Sequence, residues 1–243
     1  MKRLMIGLGA AAIAALIAGV VFFTPQMGTH SATVAPTSAE AALADPFGEK
    51  RDRKDAGEQH YIHGRYPEAI AYWTDAAAKG NAYAAHRLGV EYMDGKPGVV
   101  ARDYSKSRDY HTQAARLGFA LSMFDLGSIN EYGFGVEKSL TVAAKWYGHA
   151  ANYGLAQGQY NFATMLESGD GVPKDEVEAL KFFILGARGG FSGVPFNSQN
   201  NKIDQAAATP AEALQQRLTK EQVAEGHARA DQFHAASGPL QGE

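Results

Sequence analysis

The sequence predicts an all-α fold in which antiparallel helix pairs stack into a solenoid. Three observations predict it. An alanine pair followed three residues later by glycine recurs at Ala76-Ala77…Gly80, Ala114-Ala115…Gly118 and Ala150-Ala151…Gly154, and in degraded form at Gly186-Ala187…Gly190. These glycines lie 38, 36 and 36 residues apart. After each of the first three glycines, small and large apolar residues alternate at three- and four-residue spacing, which is the stripe of an amphipathic helix. A period of this length marks stacked supersecondary units rather than a globule around one cleft, and it favours binding over chemistry.

The chain begins with an uncharged run from Leu4 to Phe23, directly after Lys2 and Arg3. Twenty residues at about 1.5 Å each give roughly 30 Å, the thickness of a bilayer core. Small-x-small cleavage candidates, Thr33-Val34-Ala35 and Ala39-Glu40-Ala41, lie well downstream of it, and Pro36 suits a cut poorly. Residues 1–23 are therefore expected to be a signal anchor, or a signal peptide if cleaved. Lys2 and Arg3 would stay cytoplasmic and place the body on the far side. Residues 24–48 are rich in Thr, Ser, Ala and Pro and read as a flexible tether.

Residues 49–190 hold the helix pairs, divided at about 54–79, 80–117, 118–153 and 154–189. In the three full units the small residues Ala84, Ser122 and Gly158 are followed by Leu88, Leu126 and Phe162, and then by Gly89, Gly127 and Ala163. Glycine inside a helix costs about 1 kcal/mol against alanine, so its recurrence at one offset predicts close approach by a neighbouring helix. Each first helix runs into a glycine turn, Gly95-Lys96-Pro97-Gly98, Gly133-Phe134-Gly135 or Gly169-Asp170-Gly171, where glycine is expected to supply a left-handed C-cap. Asp103, Ser139 and Asp175 then stand as N-caps, Asp175 with Glu178 as a capping box. The second helices carry ring pairs, Tyr110-His111, Trp146-Tyr147 and Phe182-Phe183, expected in the core. The first unit, 54–79, is expected to be an N-terminal capping unit, and in it Tyr72-Trp73 occupies that place.

After Gly190 the pattern fails, because Pro195 would break the next first helix. Residues 191–243 are expected to form capping helices and a tail. The helix starts are Thr209-Pro210-Ala211-Glu212 and Thr219-Lys220-Glu221-Gln222, each with the residues of a capping box.

These offsets together, A-A-x-x-G-x-A-x-x-x-x-x-L-G, then G-x-G-V-x-x-D and A-x-x-W-Y, resemble the Sel-one-like repeat family, which is related to tetratricopeptide repeats. The resemblance covers roughly residues 56–190. It implies a right-handed α-solenoid of antiparallel helix pairs and a role in protein–protein scaffolding, with no cofactor. Asn130 and Leu166 depart from it where Tyr92 keeps the family's tyrosine. Relatives of this kind act in envelope assembly or neutralise secreted antibacterial toxins such as phospholipase effectors. An enzyme acting on cell-wall fragments or β-lactams is the alternative from another class.

The residues offer little chemistry. No serine is followed three residues later by lysine, and no G-x-S-x-G elbow occurs. His60 and His63 have metal-ligand spacing but no identifiable third ligand. The chain has no cysteine and a formal net charge of −3, which excludes disulfide chemistry and gives no basic footprint for nucleic acid. The reading is a noncatalytic adaptor that binds another protein, held by a single span in the inner membrane with its repeats in the periplasm.

In the related tetratricopeptide fold, first helices line the concave face. Opposite the packing stripe, helical spacing puts the third, sixth, tenth and thirteenth residues after each repeat glycine. Among these, Tyr83, His86, Leu121, Phe124, Tyr160, Glu131 and Glu167 are the expected partner-binding residues, apolar side chains beside carboxylates in a groove.

Overall fold

A computed structural model describes residues 55–191, 196–197, 202–203 and 209–240. The Leu4–Phe23 run, the 24–48 tether and Pro195 lie outside them. Eight of the helices form four consecutive pairs: α1 (Ala56–Ile62) with α2 (Tyr66–Ala78), α3 (Ala82–Asp94) with α4 (Tyr104–Arg116), α5 (Ala120–Tyr132) with α6 (Leu140–Asn152), and α7 (Ala156–Ser168) with α8 (Glu176–Arg188). Each helix packs on the next, and the first helices α3 and α5 also touch directly. A two-residue antiparallel ladder follows, β1 (Phe196–Asn197) with β2 (Lys202–Ile203). The helices α9 (Pro210–Gln215) and α10 (Lys220–Asp231) then pack on α8. The described residues are thus an α-solenoid closed at its C-terminal end.

The alanine pair and its glycine are a helix stop. At the end of α2 the Asn81 N–H donates to the Ala76 carbonyl at 3.0 Å, and the Gly80 N–H to the Ala77 carbonyl at 2.9 Å. The same two bonds recur at Ala114-Ala115, Ala150-Ala151 and Gly186-Ala187. This Schellman arrangement requires a left-handed residue, and Gly80, Gly118, Gly154 and Gly190 have φ of 86°, 89°, 82° and 86°. Ala114, Ala115, Ala150 and Ala151 are all fully buried, so one short motif both ends the helix and packs it.

The N-caps are equally regular. The Asp103, Ser139 and Asp175 side chains accept from the N–H of Lys106, Val142 and Glu178. Their own N–H groups donate to the carbonyls of Tyr92, Asn130 and Leu166 at 2.8, 2.9 and 2.9 Å, which satisfies a C-terminal orphan of each first helix. Because that bond uses only backbone, Asn130 and Leu166 serve where the family has tyrosine. Two expectations need correction. Glu178 does not complete a capping box with Asp175, because its carboxylate is taken by Lys181 at 2.7 Å and Arg229 at 3.0 Å. Gly95 is not a left-handed cap like Gly133 and Gly169: its φ of 70° and ψ of 152° lead into a tight Lys96–Val100 bridge. The boxes at Thr209–Glu212 and Thr219–Gln222 are both complete.

The core between the helices of a pair is set by a small residue facing a ring. A Cβ placed on Gly57 would stand 2.2 Å from Trp73, on Gly89 2.7 Å from His111, and on Gly127 2.5 Å from Tyr147. Trp73, His111 and Tyr147 are at most 1% exposed. The unit of α1 and α2 therefore repeats the packing of the others despite its shorter turn.

The C-terminal tail returns along the solenoid. The Ala236 N–H donates to the Asn152 carbonyl at 2.8 Å and the Leu240 N–H to the Arg116 carbonyl at 3.0 Å. It thereby satisfies the open ends of α6 and α4 in turn, and Leu240 packs against the cluster around Met123 and Leu126.

Gly127→Leu should force the Tyr147 ring and α6 away from α5, at a cost of about 1–3 kcal/mol or more. Circular dichroism melting should show the fall, and hydrogen exchange should show protection lost first in α5 and α6. An unchanged melting curve would contradict the packing described.

Candidate functional site

The stripe opposite the packing face is only half open. Tyr83, Leu121, Phe124 and Tyr160 are half-buried, whereas Gln157 and Thr164 are exposed. Each ring leans on the solenoid: Tyr83 lies 6.2 Å from Phe119, Phe124 5.4 Å from Tyr147, and Tyr160 5.5 Å from Phe183 and 5.2 Å from Phe191. The Tyr83 hydroxyl donates to Glu58 Oε1 at 2.6 Å. Burial first, then Glu58, pushes its acidity well down, so the phenol stays protonated.

The expected carboxylates are also engaged. Glu131 Oε2 accepts from the Tyr147 hydroxyl at 2.8 Å, and Glu167 pairs with Arg217 beside α9. These rings and acids therefore form the edge of the core on α3, α5 and α7, where the apolar side chains stay partly exposed.

His86 departs from the expectation. It is 5% exposed, drawn inward by a polar cluster that the sequence reading did not assemble. Its ring sits 5.5 Å from His111 of α4. Its Nδ1 lies 3.1 Å from Ser122 Oγ and 3.3 Å from Asp125 Oδ2, both on α5. His111 Nδ1 lies 3.2 Å and 3.4 Å from the same two oxygens. Ser122 is fully buried and His111 is 1% exposed. Burial is the main reason the His111 imidazole is held neutral, its pKa lowered to about 4, against the opposing pull of Asp125.

The register explains the cluster. The sixth residue after each repeat glycine meets the inner ring of its own unit's second helix: Phe124 on Tyr147, Tyr160 on Phe183, and His86 on His111. The seventh reaches back to the ring of the preceding unit. Arg87 lies over Trp73 at 4.5 Å, Asp125 faces His111, and Asn161 hydrogen-bonds the Tyr147 hydroxyl. In the unit 80–117 both ring positions are histidines. The signal lay in the sequence as an imidazole at an offset that elsewhere holds Trp73, Tyr147 and Phe183.

Ser122, the histidines and Asp125 are not arranged for nucleophilic catalysis. A serine–histidine–carboxylate triad places serine and carboxylate on opposite ring nitrogens. Here both oxygens face the same Nδ1 of each histidine. Elsewhere, His63 Nδ1 donates to its own helix, to the Gln59 carbonyl at 2.6 Å. Among the described residues, His60 and His63 belong to no three-residue ligand group.

Comparison with known proteins bears on the repeats. Residues 82–119, 120–155 and 156–191 each match the Sel1 repeat family. Over 79 residues the chain is 31% identical to the chitin synthase regulator SKT5 of Saccharomyces cerevisiae, covering 32% of this chain and 11% of that protein. It is 34% identical over 83 residues to the ERAD-associated E3 ubiquitin-protein ligase component HRD3B of Arabidopsis thaliana, covering 34% and 13%. The chain thus spans about an eighth of the length of these relatives. A crystal structure of a Sel1 repeat protein from Oxalobacter formigenes superposes with a TM-score of 0.54 at 27% identity, covering 62% of this chain and 63% of that one.

Phe124→Ala should cost about 2 kcal/mol, roughly half the loss for a fully buried phenylalanine, because the ring is half covered. Thr164→Ala, at an exposed position on the same face, should leave the melting temperature unchanged. Equal melting for both variants would place Phe124 outside the core.

Proposed function

We propose that this chain, which carries three Sel1 repeats in an α-solenoid, is a noncatalytic adaptor that binds another protein along the face formed by α3, α5 and α7. The observation that carries the reading is the row of half-exposed apolar side chains, Tyr83, Leu121, Phe124 and Tyr160, continued by exposed Gln157 and Thr164. Side-by-side first helices turn separate contacts into one extended surface, the way repeat proteins bind. The fixed rings would lose little entropy on binding. Two similar proteins are named for action on or within an assembly with other proteins, a synthase regulator and a ligase component.

The proposal includes placement at a membrane. That part rests on the Leu4–Phe23 run and its preceding Lys2 and Arg3, which suit a single inner-membrane anchor with the repeats on the periplasmic side. Among the described residues no helix is long and apolar enough to cross a membrane. A toxin neutralised by this chain would be one such protein partner, reached through the same face.

Photo-crosslinking residues placed at Gln157 and Thr164 should capture one and the same protein in living cells, while the same group at Val142, exposed on second helix α6, should not. Capture from Val142 alone would move the interface to the other face. For the anchor, the full-length protein should stay in the membrane after alkaline extraction, and a periplasmic reporter at its C-terminus should be active. Recovery of a soluble form starting near Ala42 would show cleavage instead.

A further inference from the structure

We propose that His86, His111, Asp125 and Ser122 form a closed site for one divalent transition-metal ion of the zinc type, which pins α3, α4 and α5 together. The geometry carries the inference. Four donor atoms, two imidazole Nδ1, one hydroxyl and one carboxylate oxygen, are separated across four edges by 3.1, 3.2, 3.3 and 3.4 Å. A tetrahedral ion with ligands at about 2.0 Å has donor-to-donor edges of about 3.3 Å. The histidine and carboxylate donor atoms all lie within 4.8 Å of one another. Four of the six donor-to-donor edges thus match the length that one shared ion requires.

The hydrogen-bond inventory supports a common centre. Ser122 Oγ can donate one hydrogen bond and accept two, so it serves both ring nitrogens, and the unmet group is Asp125. Asp125 Oδ2 is cut off from water, and the two imidazole nitrogens stand 3.3 and 3.4 Å from it, farther than in a strong charge-assisted hydrogen bond. A buried carboxylate oxygen left so is costly unless something charged meets it. An ion at the centre satisfies all four donors at once.

The donor set selects the ion class. Two imidazole nitrogens with a carboxylate suit zinc, cobalt or nickel; calcium and magnesium take six or more oxygens or water. Ser122, His111 and His86 are at most 5% exposed, and the Asp125 side chain is 20% exposed with its Oδ2 cut off from water, so the four donors leave no position for substrate. The site is structural and must fill as the chain folds. The other units show what the site replaces. Where this unit has His86 over His111, they have Phe124 over Tyr147 and Tyr160 over Phe183; where Asp125 stands, the next unit has Asn161.

Those units also supply the test. Full-length protein, free of any affinity tag and stripped with a chelator, is titrated with zinc and with cobalt. The expected result is one ion per chain by elemental analysis, visible cobalt absorption of tetrahedral intensity, and a melting temperature raised by about 5 °C at saturating zinc. His111→Tyr and Asp125→Asn install the side chains that the neighbouring unit uses at these offsets. Each should keep the helical circular dichroism and lose the ion and the shift. Asp125→Asn, nearly isosteric, decides the matter if His111→Tyr folds poorly. Stripped wild type that takes up no zinc overturns the proposal, and so does uptake that persists in Asp125→Asn.

Discussion

The contact on which the rest depends is that of a small residue on a first helix against a ring on the second. With Gly89 against His111 and Gly127 against Tyr147, a single added carbon would lie under 3 Å from the ring. Closer approach is impossible, and any larger residue pushes the pair apart. The rotation of each first helix is thereby fixed. Once the ninth residue after the glycine faces the ring, the fourth meets the preceding second helix, as Gly158 meets Ala150. The third and sixth are left at the edge, where Tyr83, Phe124 and Tyr160 lie.

A buried ring with a polar atom creates a second demand, since the atom must find a partner. The solenoid meets it from the following unit. Arg87 covers Trp73, Asp125 faces His111 and Asn161 bonds Tyr147. Arg87 is held in turn by Glu58 at 2.8 Å. Successive units are therefore joined by matched polar contacts as well as apolar packing. This makes each interface specific to its neighbours and ties the order of the units to their chemistry.

Much of this was legible in the sequence because it is local. The alanine pair with its glycine, the N-caps and the two C-terminal capping boxes are short-range devices, and all stand where residue type and spacing put them. What escaped was set by neighbours distant in sequence. Glu178 has the right spacing for a box, but Arg229, 51 residues away, claims its carboxylate. His86 lies on the expected binding stripe by spacing alone, and only the placement of Asp125 and Ser122 shows why it turns inward. The tail's course was invisible, since its anchors are the carbonyls of Asn152 and Arg116, which every residue possesses.

The half-burial of the stripe has a consequence for how such a surface can act. Phe124 touches Tyr147, whose hydroxyl lies 2.8 Å from Glu131 and 3.1 Å from Ser128, so a partner that presses on Phe124 presses on the core of the unit. Binding and local stability are then coupled, since each edge ring contributes to both. Between α3 and α5 the same place in the register holds the His86–His111–Asp125 cluster. Aromatic rings can slide over one another at small cost, whereas imidazoles facing one carboxylate and one hydroxyl oxygen have directional contacts. The α3–α5 junction, where the two first helices touch directly, is therefore held by directional contacts, whereas Phe124 of α5 and Phe162 of α7 each pack against the cluster around Tyr147.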